Sequence, residues 1–347
     1  MTAPARSAGF SILITHHSSL RMVNDRDIDH AAGVLRAGGL VAFPTETVYG
    51  LGADASNPLA VRKLFEAKGR PATHPVIVHL ADGVQIANWA REIPASAQRL
   101  AKKFWPGPLT LVLRRASNVS NLVTGGQETV AVRVPSNPVA QQLLARFGGG
   151  VAAPSANRHG RVSATTADHV RREFGTAVDC VLDGGEAQVG IESAIVDLSG
   201  ISPALLRPGS ITAAEIEAVL GVSLAAPAGD APRAPGTLAA HYAPQTPLML
   251  MEGDLVLELA ASLLRQGKRV AVLAFSAQRP VLQGLDWIAA PHDAAGYAHG
   301  LYASLRRLDE LGCDAILVER PPQAPAWAAI NDRLARAATG SSVPDEP

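Results

Sequence analysis

An α/β fold in two parts is the architecture the sequence predicts, and three observations predict it. Between residues 25 and 220, short β-branched runs alternate with amphipathic helical segments, the pattern of an α/β layer structure with a mixed or mostly parallel sheet. Residues 222–247 lose all hydrophobic period and gather Pro227, Pro232, Pro235, Pro244 and Pro247 among Ala and Gly, which reads as a linker or a long functional loop. Beyond them the strand and helix alternation resumes on a smaller scale. The expected organisation is an open twisted sheet with flanking helices over 1–221, a linker over 222–247 and a small Rossmann-like α/β unit over 248–347.

Each element has its own signal. Strands are expected at 40–44, 76–80, 109–114, 130–134, 151–154, 180–182 and 194–198, where β-branched and apolar residues run between turn formers. Asn57 before Pro58 marks a helix start and Gly69 after Lys68 its end. Further helices are expected near 26–37, 95–104, 137–147, 165–174 and 212–220. In the last hundred residues, 248–251, 269–275 and 315–318 read as strands, and 254–267, 295–310 and 326–338 as helices.

Composition narrows the function. Apolar residues make up 47% and charged residues 18% of the 347, which excludes disordered and collagen-like chains. The apolar stretches are too short for a membrane span. Near the start, Arg6 and the run 10–14 make a poor secretory signal, so the expected compartment is the cytoplasm. Cys180 and Cys313 stand far apart, so neither a disulfide framework nor a structural zinc site is expected. Basic and acidic side chains balance at 31 each, leaving no global field to gather nucleic acid. Residues 1–217 carry 21 basic against 18 acidic side chains and the remainder 10 against 13, an asymmetry that permits an anionic ligand.

Familiar nucleotide and nucleophile motifs are absent. Gly267-Lys268 lacks the upstream Gly of a P-loop, and no Gly-x-Ser-x-Gly elbow occurs. Gly50-Leu51-Gly52-Ala53-Asp54-Ala55 matches Gly-x-Gly-x-x-Ala, but it is expected to lie beyond its strand, and Arg70 stands where a ribose-binding acid belongs. His74 and His79 have no third metal ligand nearby, which favours a loop and a core histidine.

What remains is a set of cations and hydroxyls at strand ends. Lys68-Gly69-Arg70-Pro71 leaves a helix and enters a proline-bounded loop. Lys68 alone could serve the helix dipole, a role that does not extend to Arg70. Arg133 ends a strand before Pro135, and Arg207 precedes Pro208-Gly209. Ser155 and Asn157 follow a small-residue strand, and Glu192-Ser193 precedes another. In open α/β sheets that rim is where ligands bind.

The motifs Pro44-Thr45-Glu46-Thr47-Val48-Tyr49-Gly50-Leu51-Gly52, Lys68-Gly69-Arg70-Pro71, Pro154-Ser155-Ala156-Asn157, Glu192-Ser193 and Leu206-Arg207-Pro208-Gly209 resemble, in that order, the YrdC-like threonylcarbamoyl-AMP synthases. Pro235-Gly236 and His241-Tyr242-Ala243-Pro244, followed by a small α/β unit, resemble the long form of that family. Two departures stand out: His74-Pro75-Val76 where Asn-Pro-Leu is frequent, and Ala-Pro-Gly-Thr in the linker for Ser-Pro-Gly-Met.

The resemblance implies an α/β fold of that type and an enzyme joining L-threonine, bicarbonate or CO2 and ATP into L-threonylcarbamoyl-adenylate, with release of pyrophosphate, for modification of tRNA beside the anticodon. It implies Thr45, His79, Arg133, Ala153 and Ser193 around threonine. It implies Arg70, His74, Thr129, Ser155, Asn157, Ser163, Arg207 and Tyr242 around ATP. Lys68 and Arg70 are the expected catalytic cations, and Asn157 joins the phosphate and magnesium neighbourhood by motif. Mg2+ is expected with ATP, without a direct protein ligand assigned. The implied partners are the downstream tRNA threonylcarbamoyl-transfer enzymes, with weak tRNA binding a further possibility and no membrane.

Two alternatives compete with this reading. A double-stranded RNA module is disfavoured by 15 aromatics and a modest charge. A carbamoyl-adenylating enzyme of hydrogenase maturation would bring cysteine-rich zinc fingers, which two cysteines cannot build. Residues 222–247 are expected to form an active-site lid with Tyr242 over the nucleotide; the competing reading makes Tyr242 an anchor on the second domain.

Overall fold

A computed structural model describes residues 23–341 apart from 228, 230 and 277. The run 10–14, on which the compartment expectation partly rests, lies outside the described residues. Local signals shape the first helices as expected. Asn24 caps α1 (Asp25–Arg36) through a reciprocal bond with Asp27, as a capping box does. After β1 (Val41–Phe43) and β2 (Gly50–Asp54), α2 (Pro58–Lys68) starts on the Asn57 side chain and stops at Gly69, whose φ of 63° suits glycine.

β3 (Ile77–His79) then leads to α3 (Ala95–Phe104), β4 (Leu109–Arg114), the single turn α4 (Asn121–Thr124) and β5 (Thr129–Arg133). α5 (Pro138–Phe147), β6 (Val151–Ala152), α6 (Ala167–Phe174), β7 (Cys180–Val181), β8 (Ala194–Asp197), β9 (Ala204–Arg207) and α7 (Ala213–Leu220) complete the first unit. Its strands form one mixed sheet in the order β7-β1-β2-β6-β3-β5-β4-β8-β9. β3 and β5 are parallel and register His79 beside Arg133, so both side chains reach the same rim.

The Gly-x-Gly-x-x-Ala match corrects one expectation. Its first five residues form β2, antiparallel to β1, rather than a loop beyond a strand, and Ala55 follows directly. A Cβ on Gly52 would sit 2.8 Å from both Phe43 and Val151, so glycine here admits close packing and cradles no phosphate.

The second unit comprises β10 (Leu248–Met251), α8 (Gly253–Arg265), β11 (Val270–Ala274), β12 (Leu285–Ala289), α9 (Ala294–Asp309), β13 (Ala315–Glu319) and α10 (Ala328–Ser341). Its sheet is all parallel, ordered β10-β13-β11-β12. β12 was not expected: its middle residues are half-buried around Asp286, and an edge strand of that kind has no continuous apolar run.

The two units share a core. Val48, Val162 and Ile191 of the first pack in one apolar cluster with Tyr242 of the linker and with Leu248, Tyr297 and Tyr302. Gly190 lies against the backbone of Ala298 and His299, and Arg306 donates to the carbonyls of Val162 and Ser163. No helix among the described residues is long and apolar enough to cross a membrane.

Candidate active site

The site is a buried cavity of about 40 Å³ lined by Thr45, Thr47, Arg70, Ile77, His79, Arg133, Ala153, Ser155, Glu192 and Arg207, and closed by Pro235, Gly236, His241 and Tyr242 of the linker. Such a space holds about one or two water molecules, far below the several hundred Å³ of a ligand pocket. The linker is shut over it.

One wall is the loop between β1 and β2. Thr45 Oγ1 donates to Val48 O at 2.6 Å and receives the Val48 N–H at 3.2 Å, a local bond that folds the loop back on itself. Arg133 enters from β5. Its Nη2 donates to Glu46 Oε1 at 2.7 Å, its Nη1 to Thr47 Oγ1 at 2.9 Å and its Nε to Gly107 O at 3.2 Å. Glu46 also accepts the Ser136 N–H at 3.0 Å. Three of the five guanidinium donors are thereby aimed, leaving two for a ligand.

His79 is buried beside Arg133. Burial, with the positive charge of Arg133, pushes its imidazole down to about 3, so the ring is neutral at neutral pH. Its Nδ1 has no hydrogen-bond partner.

The other wall carries two more buried guanidinium groups. Arg70 Nη2 donates to Pro75 O at 2.7 Å, and its Nε has no partner. Arg207 donates to Ser193 O at 3.1 Å, Ser193 Oγ at 3.2 Å and Pro235 O at 2.8 Å. Both meet carbonyls and a hydroxyl rather than a carboxylate. Burial lowers the Arg70 guanidinium to about 10 and that of Arg207 below its ordinary value. Glu192, which lines the cavity, is already engaged by Arg333, and Glu46, which does not line it, by Arg133. A buried surplus of positive charge is costly unless an anion answers it, so the cavity is built for an anionic ligand.

Of the residues expected from sequence, Thr45, Arg70, His79, Arg133, Ala153, Ser155, Arg207 and Tyr242 line this cavity. Ser193 stands directly behind it, between Thr110 Oγ1 at 2.8 Å and Arg207. Ser163 is buried and donates to Glu192 Oε1 at 2.6 Å. Asn157 is buried with Oδ1 unpartnered, and His74 is half-buried 5.2 Å from the His159 ring. Thr129 is not brought to the cavity. It begins β5, at the far end from Arg133.

Lys68 differs from both expectations for it. It is neither a helix-dipole charge at the surface nor a lining cation. Its ammonium is buried and donates to Ser155 O at 2.6 Å and to Asn157 O, pinning the Ser155 to Asn157 turn from behind. Burial, then the neighbouring Arg70, hold its pKa well below the usual lysine value.

Glu46, Thr47, Glu192 and His241 fall within the sequence motifs, which by themselves assign them no role. The signal at Glu46 is an acid between two threonines that separate the apolar runs 40–44 and 48–53.

Residues 33–209 match a family profile described as "Telomere recombination", of the Sua5, YciO and YrdC proteins, and residues 211–339 match the C-terminal domain of threonylcarbamoyl-AMP synthase. A threonylcarbamoyl-AMP synthase of Pyrococcus abyssi is 42% identical, covering 88% of this chain and 92% of its own. The chain belongs to the threonylcarbamoyl-AMP synthase family. A second member, from Bacillus subtilis, is 41% identical over 92% of this chain and 95% of its own. The structure of P. abyssi Sua5 complexed with L-threonine superposes with a TM-score of 0.85 at 40% identity, covering 92% of this chain and 96% of the other.

Proposed function

We infer that the chain catalyses ATP-dependent synthesis of L-threonylcarbamoyl-adenylate, for threonylcarbamoyladenosine modification of tRNA. The observation that carries the reading is the closed cavity with buried guanidinium groups at both ends, in a member of this family. Threonine lies at the Arg133 end, with Thr45, His79, Ala153 and Ser193; the two free donors of Arg133 suit its carboxylate. A neutral His79 adds no further positive charge beside Arg133 and the amino group of threonine. ATP lies toward Arg70, Ser155, Arg207 and Tyr242, with His74, Ser163 and Asn157 behind them.

The amine of threonine gives a carbamate either with CO2, losing a proton, or with bicarbonate, losing water. A carbamate oxygen then attacks the α-phosphorus, the bond to the bridging oxygen breaks, and pyrophosphate leaves. Negative charge grows on the phosphates, where Arg70 and Arg207 stabilise it without an enzyme nucleophile. Magnesium would enter with the triphosphate, whose charge it offsets. Among the described residues no cluster of His, Cys, Asp or Glu could hold a metal; the unpartnered Asn157 Oδ1 would accept a hydrogen bond from a water of the hydrated ion.

Within residues 222–247, Pro235, Gly236, His241 and Tyr242 act as the lid, and the lid and anchor readings of Tyr242 describe the same ring. It lines the cavity, stacks on Tyr302 with centroids 5.7 Å apart, and is 1% exposed. The product passes to tRNA threonylcarbamoyl-transfer enzymes. A double-stranded RNA module is not favoured, because Arg70, Arg133 and Arg207 are buried and present no face to a duplex.

The test is pyrophosphate release from ATP with each amino acid in turn, with and without bicarbonate. Release that needs threonine and bicarbonate together is expected. Release indifferent to either would sink the reading.

A further inference from the structure

The second domain sends Arg333 of α10 to the back of the catalytic wall with 0% of its surface exposed. A guanidinium buried so completely persists only where its charge and its donors are matched. Its Nε donates to Glu192 Oε2 at 2.9 Å, its Nη2 to Pro208 O at 3.0 Å and its Nη1 to Asp332 Oδ2 at 2.6 Å. Its Cζ lies 5.3 Å from the centroid of the Tyr242 ring, within the range of an attractive cation and π-face contact.

A second route links the same groups. Tyr302 of α9 stacks on Tyr242 and donates its hydroxyl to Glu192 Oε2 at 2.9 Å. Glu192 and Tyr242 face the cavity, whereas Arg333 and Tyr302 do not.

The linker backbone bears the mark of this arrangement. Tyr242 has a φ of 61°, a left-handed conformation that costs a bulky residue energy and persists where surrounding contacts over-determine it. The next turn of α10 adds to the hold: Arg336 Nη1 donates to Thr237 O at 2.7 Å, and Arg336 O accepts the His241 N–H at 3.3 Å.

We propose that Arg333 is a positioning residue of the active site, clamping the Glu192 carboxylate and the face of Tyr242 together so that the docked second domain sets the closed position of the linker at the nucleotide end. The role assigned to the second domain is thus completion of the ATP site, and it rests on the reading that Tyr242 meets the nucleotide.

Steady-state kinetics of the full chain and tryptic cutting at the exposed Arg233, with and without ATP, test it. Arg333→Met is expected to raise the KM for ATP about tenfold or more, to leave the KM for threonine within about twofold, and to abolish protection of Arg233 by ATP. Because that variant strands a buried carboxylate, Arg333→Lys is measured beside it. Its ammonium keeps the charge but cannot satisfy Glu192, Pro208 O and the ring together, so an intermediate KM for ATP at near-native melting temperature is expected.

Wild-type KM for ATP in either variant overturns the proposal. So does a parallel loss for both substrates with a lowered melting temperature, which marks a structural role alone. Tyr242→Ala separates the two readings: unchanged ATP binding there removes the nucleotide role of the linker, while weakened ATP binding with an indifferent Arg333→Met removes only the clamp.

Discussion

At Arg133 the geometry separates two substitutions. Arg133→Ala removes the donors left for threonine, and the expected loss of threonine affinity is on the order of 1.5–3 kcal/mol, a charged hydrogen bond, with ATP affinity changed much less. Calorimetric titration with each ligand checks it. Glu46→Gln keeps the guanidinium but removes the charge that aims it. Breaking a buried pair costs on the order of 3–5 kcal/mol, so a lower midpoint in urea is expected together with weaker threonine binding; a stability indistinguishable from wild type would mean Glu46 does not hold Arg133. Lys68 and Arg70 part company in the same way. Arg70→Ala is expected to depress turnover at saturating ATP and threonine, because Arg70 faces the cavity. Lys68→Ala is expected to cost on the order of 1–3 kcal/mol of stability, from the buried Ser155 and Asn157 carbonyls it leaves unsatisfied. Turnover and urea denaturation of the two variants distinguish cation from pin.

At the scale of elements, the linker is held to the catalytic unit by a side chain that imitates a strand. Gln127 Oε1 accepts the Arg233 N–H at 2.7 Å, and its Nε2 donates to Arg233 O at 3.1 Å. Arg233 in turn donates to Gly125 O at 2.8 Å. Gln127→Ala is expected to speed tryptic cutting at Arg233 several-fold in the free protein, since local opening governs such cleavage, while thermal stability falls by about 1 kcal/mol or less. An unchanged cutting rate would show that closure does not depend on this pair. The strand that the Gly-x-Gly pattern concealed belongs to this scale too: glycine spacing fits a phosphate loop and a close-packed strand equally, and the neighbours Phe43 and Val151 decide between them.

For the whole molecule, buried neutral histidines set the response to acid. Burial, helped by nearby cations, lowers His79 to about 3 and His159 and His169 to about 4, and lowers His74 and His241 as well. Their unfolded values lie near 6.5. Between those limits the unfolded chain binds more protons than the folded one, so stability is full above about pH 6.5 and falls as pH drops toward 4. A melting temperature that declines steadily from pH 7 to pH 5 is expected, with a shallower slope in His169→Gln. A flat profile over that range would show that these rings are not buried neutral in the folded protein.

The sequence by itself determined the alternation of elements, the caps at Asn57 and Gly69, the linker and the cations at strand ends, because each rests on local backbone chemistry or on hydrophobic period. It also carried the motifs of the family across the first unit and the linker. Tertiary structure alone decided which of those residues meet. Register between β3 and β5 set His79 beside Arg133, and the fold left Thr129 at the opposite end of the same strand. Lys68 became a pin because its helix end faces the Ser155 turn, Glu46 became the partner of Arg133, and a residue of the last helix, Arg333, reached Glu192 from 141 positions away. Pairings at that separation leave no trace in local pattern, since nothing in the spacing of a chain records which buried charge will neutralise which.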